Sequence, residues 1–263
     1  MHYHVADHYI ESTSPLHRLD ARVKVAAAIL LILSVSLTPL GALPAYPLLW
    51  AILLVGVALS RMSYWMVFKR SLVALPFATA AITLLFTVPG RELARLPLVG
   101  WTISDAGLVR FVSIMLKSWI SVQVAVLMAM TTHFTDLLWA LGALKVPGVL
   151  VSIISFMYRY IFVLADEALR LTRAREARSA DPDGTGGGTV VWRARVTGGM
   201  IGNLFLRSYE RSERVYQAMV ARGYQGQMRQ LEPPPLTPAQ LALGALPVLA
   251  ALAIVVYAVL SWS

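Results

Sequence analysis

Five stretches of this chain are apolar and almost free of charge: Val25–Leu40, Tyr46–Leu59, Ser71–Val88, Phe111–Met130 and Leu241–Trp262. A bilayer's hydrocarbon core of about 30 Å takes about 20 residues of α-helix. The pattern therefore predicts five transmembrane helices, the second of them short and the fourth carrying Lys117. Between the fourth and fifth the pattern changes. In "VLVSIISFMYRYIFVLADEAL" Ile153, Phe156, Tyr160, Val163 and Leu164 recur at helical spacing, while Arg159, Asp166 and Arg173 share another face. That is the mark of an amphipathic helix, and Arg159 in mid-run argues for an interfacial or protein-covered helix rather than a sixth span. The glycine-rich "DPDGTGGGTV" interrupts it. A second amphipathic helix follows in "VTGGMIGNLFLRSYERSERVYQAMVARGY", with Ile201, Phe205, Tyr209, Tyr216 and Met219 on one side and Arg207, Glu210, Arg211 and Arg214 on another. Gly223 suits a helix stop. The three consecutive prolines of "LEPPPLTP" then favour an extended connector.

The expected fold is an all-α integral membrane protein with about five transmembrane helices and a pair of long amphipathic helices. Its expected parts are an N-terminal segment (1–24), four spans (25–130), the amphipathic pair (131–238) and a last span (239–263). Composition agrees. The chain is 57% hydrophobic and only 14% charged, with a mean hydropathy of +0.65, outside the range of ordinary soluble domains. The opening "MHYHVADHYI" lacks a basic region followed by an apolar core, so the first apolar run is expected to stay as an anchor.

Charge adds an orientation. The formal net charge is +9, and between Lys145 and Arg229 thirteen cations face seven acids. Such an excess collects on the cytoplasmic side of a membrane, so the amphipathic pair is expected there. Arg18, Arg22 and Lys24 precede the first span, "LTPLGALPAYP" after it is uncharged, and Arg61, Lys69 and Arg70 follow the second. The N-terminus is then cytoplasmic and the C-terminus outside, in a multi-pass membrane protein. This charge belongs to membrane topology, and no nucleic acid is expected as a partner.

The chain has no cysteine, which excludes disulfides, thiolate metal sites and cysteine nucleophiles. It carries none of G-x-x-x-x-G-K-[ST], H-E-x-x-H or G-x-S-x-G, so any ATP hydrolysis must come from a partner. No cofactor or catalytic residue is expected. His2, His4 and His8 with Asp7 have the chemistry of a metal site but also of an incidental chain terminus. His133 and Asp136 are either a proton pair for an intramembrane enzyme or a local helix cap. Gly198 and Gly202 form a small-xxx-small pair, which permits close helix packing where the two amphipathic helices cross or merely follows from the glycine-rich loop.

Both amphipathic helices end alike, in Ala177-Arg178-Ser179 and Ala221-Arg222-Gly223. An arginine at a helix end between small residues can offer its planar fork to carboxylates or carbonyls of another protein. It can also simply complement the helix dipole, worth about 0.3–1 kcal/mol. A third option is that the basic helices hold anionic lipid, each cation adding about 1 kcal/mol near the surface. Three stretches bear on this choice: "SPLHRLDARVKV", "YRYIFVLADEALRLTRAREARS" and "RSYERSERVYQAMVARGY". In that order they resemble the transmembrane T component of energy-coupling factor (ECF) importers, the EcfT/CbiQ family, and the cobalt-type CbiQ most of all. The resemblance covers essentially the whole chain. It implies that the two triplets dock into a pair of ABC-type ATPase subunits. It also implies that a separate substrate-binding membrane subunit, CbiM-like, with or without a small CbiN-like one, selects cobalt, nickel or a vitamin. Asp20, Arg22 and Lys24 lie in the resembling N-terminal stretch and are equally explained as boundary anchors.

Overall fold

The structure, a computed structural model, describes residues 9–89, 91–95, 102–178, 189–226 and 235–262. The chain divides into two compact units, one of Leu141–Leu231 and one of His2–Ala140 with Glu232–Ser263. Nearly all of it is helical, as an all-α membrane protein requires.

The larger unit begins with α1 (Ala21–Leu37) and α2 (Ala45–Ser60). Asp20 caps α1, its carboxylate accepting from the Arg22 backbone N–H at 2.8 Å and pairing with the Arg22 guanidinium at 3.0 Å. Arg61 stops α2 with a left-handed φ of 55°. The apolar run 71–88 does not form the single spanning helix its composition suggests. It is broken into the end of α3 (Tyr64–Ser71), a 3₁₀ turn (Leu72–Ala74), α4 (Leu75–Ile82) and α5 (Leu84–Thr87). Pro76 sits in the first turn of α4, where its missing N–H costs nothing; the same ring inside a continuous helix would clash with the preceding turn. A two-stranded antiparallel ribbon follows, β1 (Glu92–Arg95) with β2 (Thr102–Ser104), pairing Arg95 with Thr102 and Ala94 with Ile103. Ser104 then caps α6 (Asp105–Thr131) by accepting from Gly107 N–H.

α1 and α6 are antiparallel and exchange lysines. Lys24, in the first turn of α1 and only 8% exposed, donates to the carbonyl of Thr131, the last residue of α6, at 2.7 Å. Lys117 on α6 donates to the carbonyl of Ser36 near the end of α1 at 2.9 Å. Each thus satisfies one of the carbonyls that a helix C-terminus leaves without an intrahelical partner. α7 (Phe134–Ala143) turns back so that Ala140 and Trp139 pack on Ala21 and Val25.

The last helix, α10 (Pro238–Trp262), buries Gly244, Val248, Ala251, Val255 and Ala258, a spacing of four and three that draws one straight seam. Gly244 meets α1 so closely that a Cβ there would overlap the side chain of Val23. Farther along, Ala251 joins Val35, Tyr46, Leu49 and Ile120 in one buried cluster, so α1, α2, α6 and α10 share a core. A polar chain crosses it. Trp50 Nε1 donates to Gln123 Oε1 and Gln123 Nε2 donates to the Tyr64 hydroxyl, each at 3.1 Å, with Gln123 fully buried.

The other unit is an antiparallel pair of long helices, α8 (Gly148–Glu176) and α9 (Val190–Ala221). Its register is fixed by two contacts: Arg207 to Glu167 at 2.8 Å and Arg175 to Thr197 at 3.4 Å. By length and composition α6, α8 and α10 are each able to cross a membrane. α1, with 17 residues, and α2, with 16, are shorter than the usual span.

Candidate functional site

The two Arg-bearing triplets end the two long helices, and those ends are built differently. α8 finishes by tightening: Ala177 N–H donates to Arg173 O at 2.9 Å and Arg178 N–H to Arg175 O at 3.0 Å, the latter an i→i−3 bond of 3₁₀ type. Arg173 and Arg175 in the last turn complement the helix dipole. α9 finishes with a full Schellman stop. Gly223 adopts φ +81°, its N–H donates to Val220 O at 2.9 Å, and Tyr224 N–H reaches back to Met219 O at 3.0 Å. A side chain at residue 223 would be strained in that conformation, so Gly223 fixes where α9 stops and Arg222 stands out.

Ala177, Arg178, Ala221, Arg222 and Gly223 are all exposed; Ser179 lies outside the described residues. Because α8 and α9 run antiparallel, their C-terminal ends point in opposite directions. Arg178 lies beyond the Arg175–Thr197 contact at one end, and Arg222 beyond the Glu167–Arg207 contact at the other. At 1.5 Å per residue these offsets put the two arginines roughly 40 Å apart along the pair.

Beside the Arg222 end, α8 and α9 enclose a groove of about 580 Å³ lined by Phe156, Tyr160, Leu164, Tyr216, Met219 and Tyr224 among others. Phe156, Tyr160 and Leu164 are the α8 stripe legible in the sequence; Ile153 of that stripe stays exposed. Gly198 and Gly202 are not where the helices cross. A methyl group built at either meets no atom within 4 Å, because the α8–α9 contact runs along the faces carrying Thr197 and Arg207 instead.

The other candidates are placed elsewhere. His133 stacks on Tyr9, ring centroids 3.5 Å apart, and its carbonyl accepts from Leu137 N–H in the first turn of α7. Asp136 supplies negative charge to buried Lys24, as does Asp20. The pair thus takes part in a packed joint between the N-terminal segment, α1 and α7. There His17 Nδ1 lies 2.6 Å from the Ser14 hydroxyl. Burial lowers the His17 pKa, a hydrogen bond with the Ile10 backbone opposes this, and the Lys24 charge lowers it further. Burial pushes the Asp20 carboxyl up, but the hydrogen bonds and charge of Arg22 outweigh it and leave the group below its ordinary value. His2, His4 and His8 lie outside the described residues, among which no three metal-binding side chains gather. A cavity of about 420 Å³ within the larger unit is lined by apolar side chains with Lys24 and Thr131 as its polar members, offering a cation neither carboxylate nor imidazole.

Sequence reasoning passed over Val190, Val191 and Trp192 at the start of α9, all exposed. The available signal was three consecutive apolar residues directly before Arg193 and Arg195.

Known transport proteins are similar to this chain in sequence. The energy-coupling factor transporter transmembrane protein EcfT of Exiguobacterium sibiricum is 29% identical over 231 residues, 84% of this chain and 86% of its own. The cobalt transport protein CbiQ of Rhodobacter capsulatus is 36% identical over 108 residues, 41% of this chain and 42% of its own. The nickel permease LarQ of Lactiplantibacillus plantarum is 34% identical over 97 residues, 37% of this chain and 33% of its own. Residues 12–233, from the N-terminal segment through α9 and its Schellman stop, match the CbiQ family described as cobalt transport protein, and the chain belongs to that family of transporter membrane subunits.

Proposed function

We propose that this chain is the energy-coupling transmembrane subunit of an ECF-type importer, carrying conformational change from a pair of ABC-type ATPase subunits to a substrate-binding membrane subunit. One observation carries the proposal: two exposed arginines end two antiparallel helices, roughly 40 Å apart and pointing oppositely. A lone docking site needs one such end. Two ATPase subunits that move against each other need two, one contact on each.

In this proposal α8 and α9 lie on the cytoplasmic side, as the thirteen cations between Lys145 and Arg229 favour. The larger unit is the membrane scaffold, with the N-terminus cytoplasmic. Arg178 and Arg222 present bidentate donors to acceptors on the ATPases, and Ala177, Ser179, Ala221 and Gly223 keep the approach narrow. Transmission requires that the closed and open ATPase pairs bind these ends with different affinity, since equal binding shifts no equilibrium. The chain itself catalyses nothing in this scheme. Cobalt is the favoured substrate, supported by the family description and by the Rhodobacter relative; the nickel permease among the relatives makes nickel the second choice. A CbiM-like subunit would make the selection.

The test is co-purification with the ATPase and substrate-binding subunits, together with uptake of cobalt and nickel, for wild type, Arg178→Ala, Arg222→Ala and a control, Arg214→Ala. Loss of ATPase association or uptake in the first two alone is expected. Equal, graded loss in all three would instead make the helices a lipid-binding basic surface.

A further inference from the structure

We propose that Val190, Val191 and Trp192 form the apolar half of the first docking end, with Trp192 as a knob that seats on the ATPase subunit bound by Arg178. This rests on the coupling role proposed above and adds a residue class to it.

The placement follows from the register. Arg175 is held to Thr197 at 3.4 Å, and the two helices are antiparallel. Arg178 lies about 4–5 Å past that contact in the direction of α8, and Val190–Trp192 lie about 7–11 Å past it in the same spatial direction. The arginine and the apolar triplet therefore occupy one tip. The triplet is firmly helical: Thr189 caps it, its hydroxyl accepting from Trp192 N–H at 3.3 Å. Yet Val190 is 80% exposed, Val191 70% and Trp192 46%. Three consecutive helical residues spread over about 200° of the circumference, so α8 alone has no way to cover them. A partner that surrounds the tip can.

The occupant is chosen by charge and by repetition. Along the sequence Arg173, Arg175, Arg178, Arg193 and Arg195 flank the triplet and outnumber the nearby acids Glu176, Asp181 and Asp183, so the partner surface is acidic around an apolar pocket. Trp and Arg are the residues that dominate protein–protein binding energy. A membrane surface would also accept Val, Trp and Arg. The second tip decides between them, because it repeats the combination: Arg222 stands beside Tyr216, Met219 and Tyr224 around the groove. A lipid anchor at one tip gives no reason for the same pairing at the opposite one, whereas two ATPase subunits do. The tips are not identical, however: the first offers a knob and the second a groove, so the two ATPase contacts differ in shape.

The experiment uses the full chain in nanodiscs with purified ATPase subunits, their binding titrated to wild type, Trp192→Ala, Trp192→Phe, Arg178→Ala and Arg222→Ala. Trp192→Ala is expected to weaken binding by about 10–30-fold, and Trp192→Phe to stay within about threefold of wild type. Since the chain has no cysteine, Val191→Cys accepts a single environment-sensitive dye, expected to shift blue when the ATPases bind and to be indifferent to brominated lipid. If Trp192→Ala binds like wild type while Arg178→Ala does not, the knob is wrong and the coupling role stands. Wild-type binding by both Arg178→Ala and Arg222→Ala would remove the coupling role and the knob with it. Quenching of the dye by brominated lipid, with ATPase present, would assign the triplet to the membrane surface instead.

Discussion

Gly244 is the position where the packing of α10 on α1 is most exacting, and Gly244→Ala is a one-methyl probe of it. The added Cβ overlaps the side chain of Val23. Val23 sits in the first turns of α1 with 9% of its surface exposed, and a helical valine has one strongly preferred rotamer, so it does not swing aside cheaply. The helices must part instead, loosening the seam through Val248, Ala251 and Val255. Overpacking of this kind costs about 1–3 kcal/mol, offset by up to about 1 kcal/mol from replacing a helical glycine with alanine. The net expectation is a loss of about 1–2 kcal/mol, or roughly 5–30-fold in the folded-to-unfolded ratio. Reversible unfolding in mixed micelles by SDS titration reads this directly. In a Val23→Ala background the same substitution should cost little, giving a coupling energy of about 1 kcal/mol or more. A neutral or stabilising Gly244→Ala in the presence of Val23, or an equal loss with and without it, would refute the argument. Gly198→Ala and Gly202→Ala, which meet open space, should go the other way and gain up to about 1 kcal/mol each.

Three further outcomes are expected, two in the same assay and one in thermal melts. Asp20→Ala removes the N-cap of α1 and should cost about 1 kcal/mol, with Asp20→Asn keeping most of it. Gln123→Leu breaks two buried hydrogen bonds linking Trp50 and Tyr64, at about 0.6 kcal/mol each in a membrane protein, and Trp50→Phe should then add less than it does alone. His17 has a folded pKa below its ordinary 6.5, so the unfolded chain takes up its proton first as pH falls. Its contribution is complete above about 6.5 and is lost as pH drops from there to the folded value; His17→Phe should flatten the melting temperature between about pH 7.5 and 5.5 relative to wild type.

Much of the fold was legible because apolar runs and helical periodicity report directly on burial and on the bilayer. The amphipathic pair and the stop at Gly223 announce themselves through local chemistry, while the glycine-rich stretch 181–188 lies outside the described residues. The segment 71–88 misled because its composition fits a span, although Pro76 marked the place where one continuous helix was unfavourable. The glycines misled for a deeper reason. Gly198, Gly202 and Gly244 look alike in a sequence, yet only Gly244 meets a neighbouring side chain, and that depends on which helices the tertiary fold brings together. The exposed Val190–Trp192 tip was hidden for the same reason: exposure is a property of neighbours, and the antiparallel register of α8 and α9 is set by Glu167–Arg207 and Arg175–Thr197, which are far apart along the chain.

The exchange of lysines between α1 and α6 has a mechanical consequence. Packed helices commonly shift by sliding past one another, in the extreme by a full turn of about 5.4 Å. Here Lys24 holds the end of α6 and Lys117 the end of α1, at 2.7 and 2.9 Å. A slide in either direction pulls both ammonium groups off their carbonyls at once, and at the buried Lys24 end a carbonyl left bare is costly. The pair is held against shear from both ends, so α1 and α6 resist sliding and favour moving together as one strut.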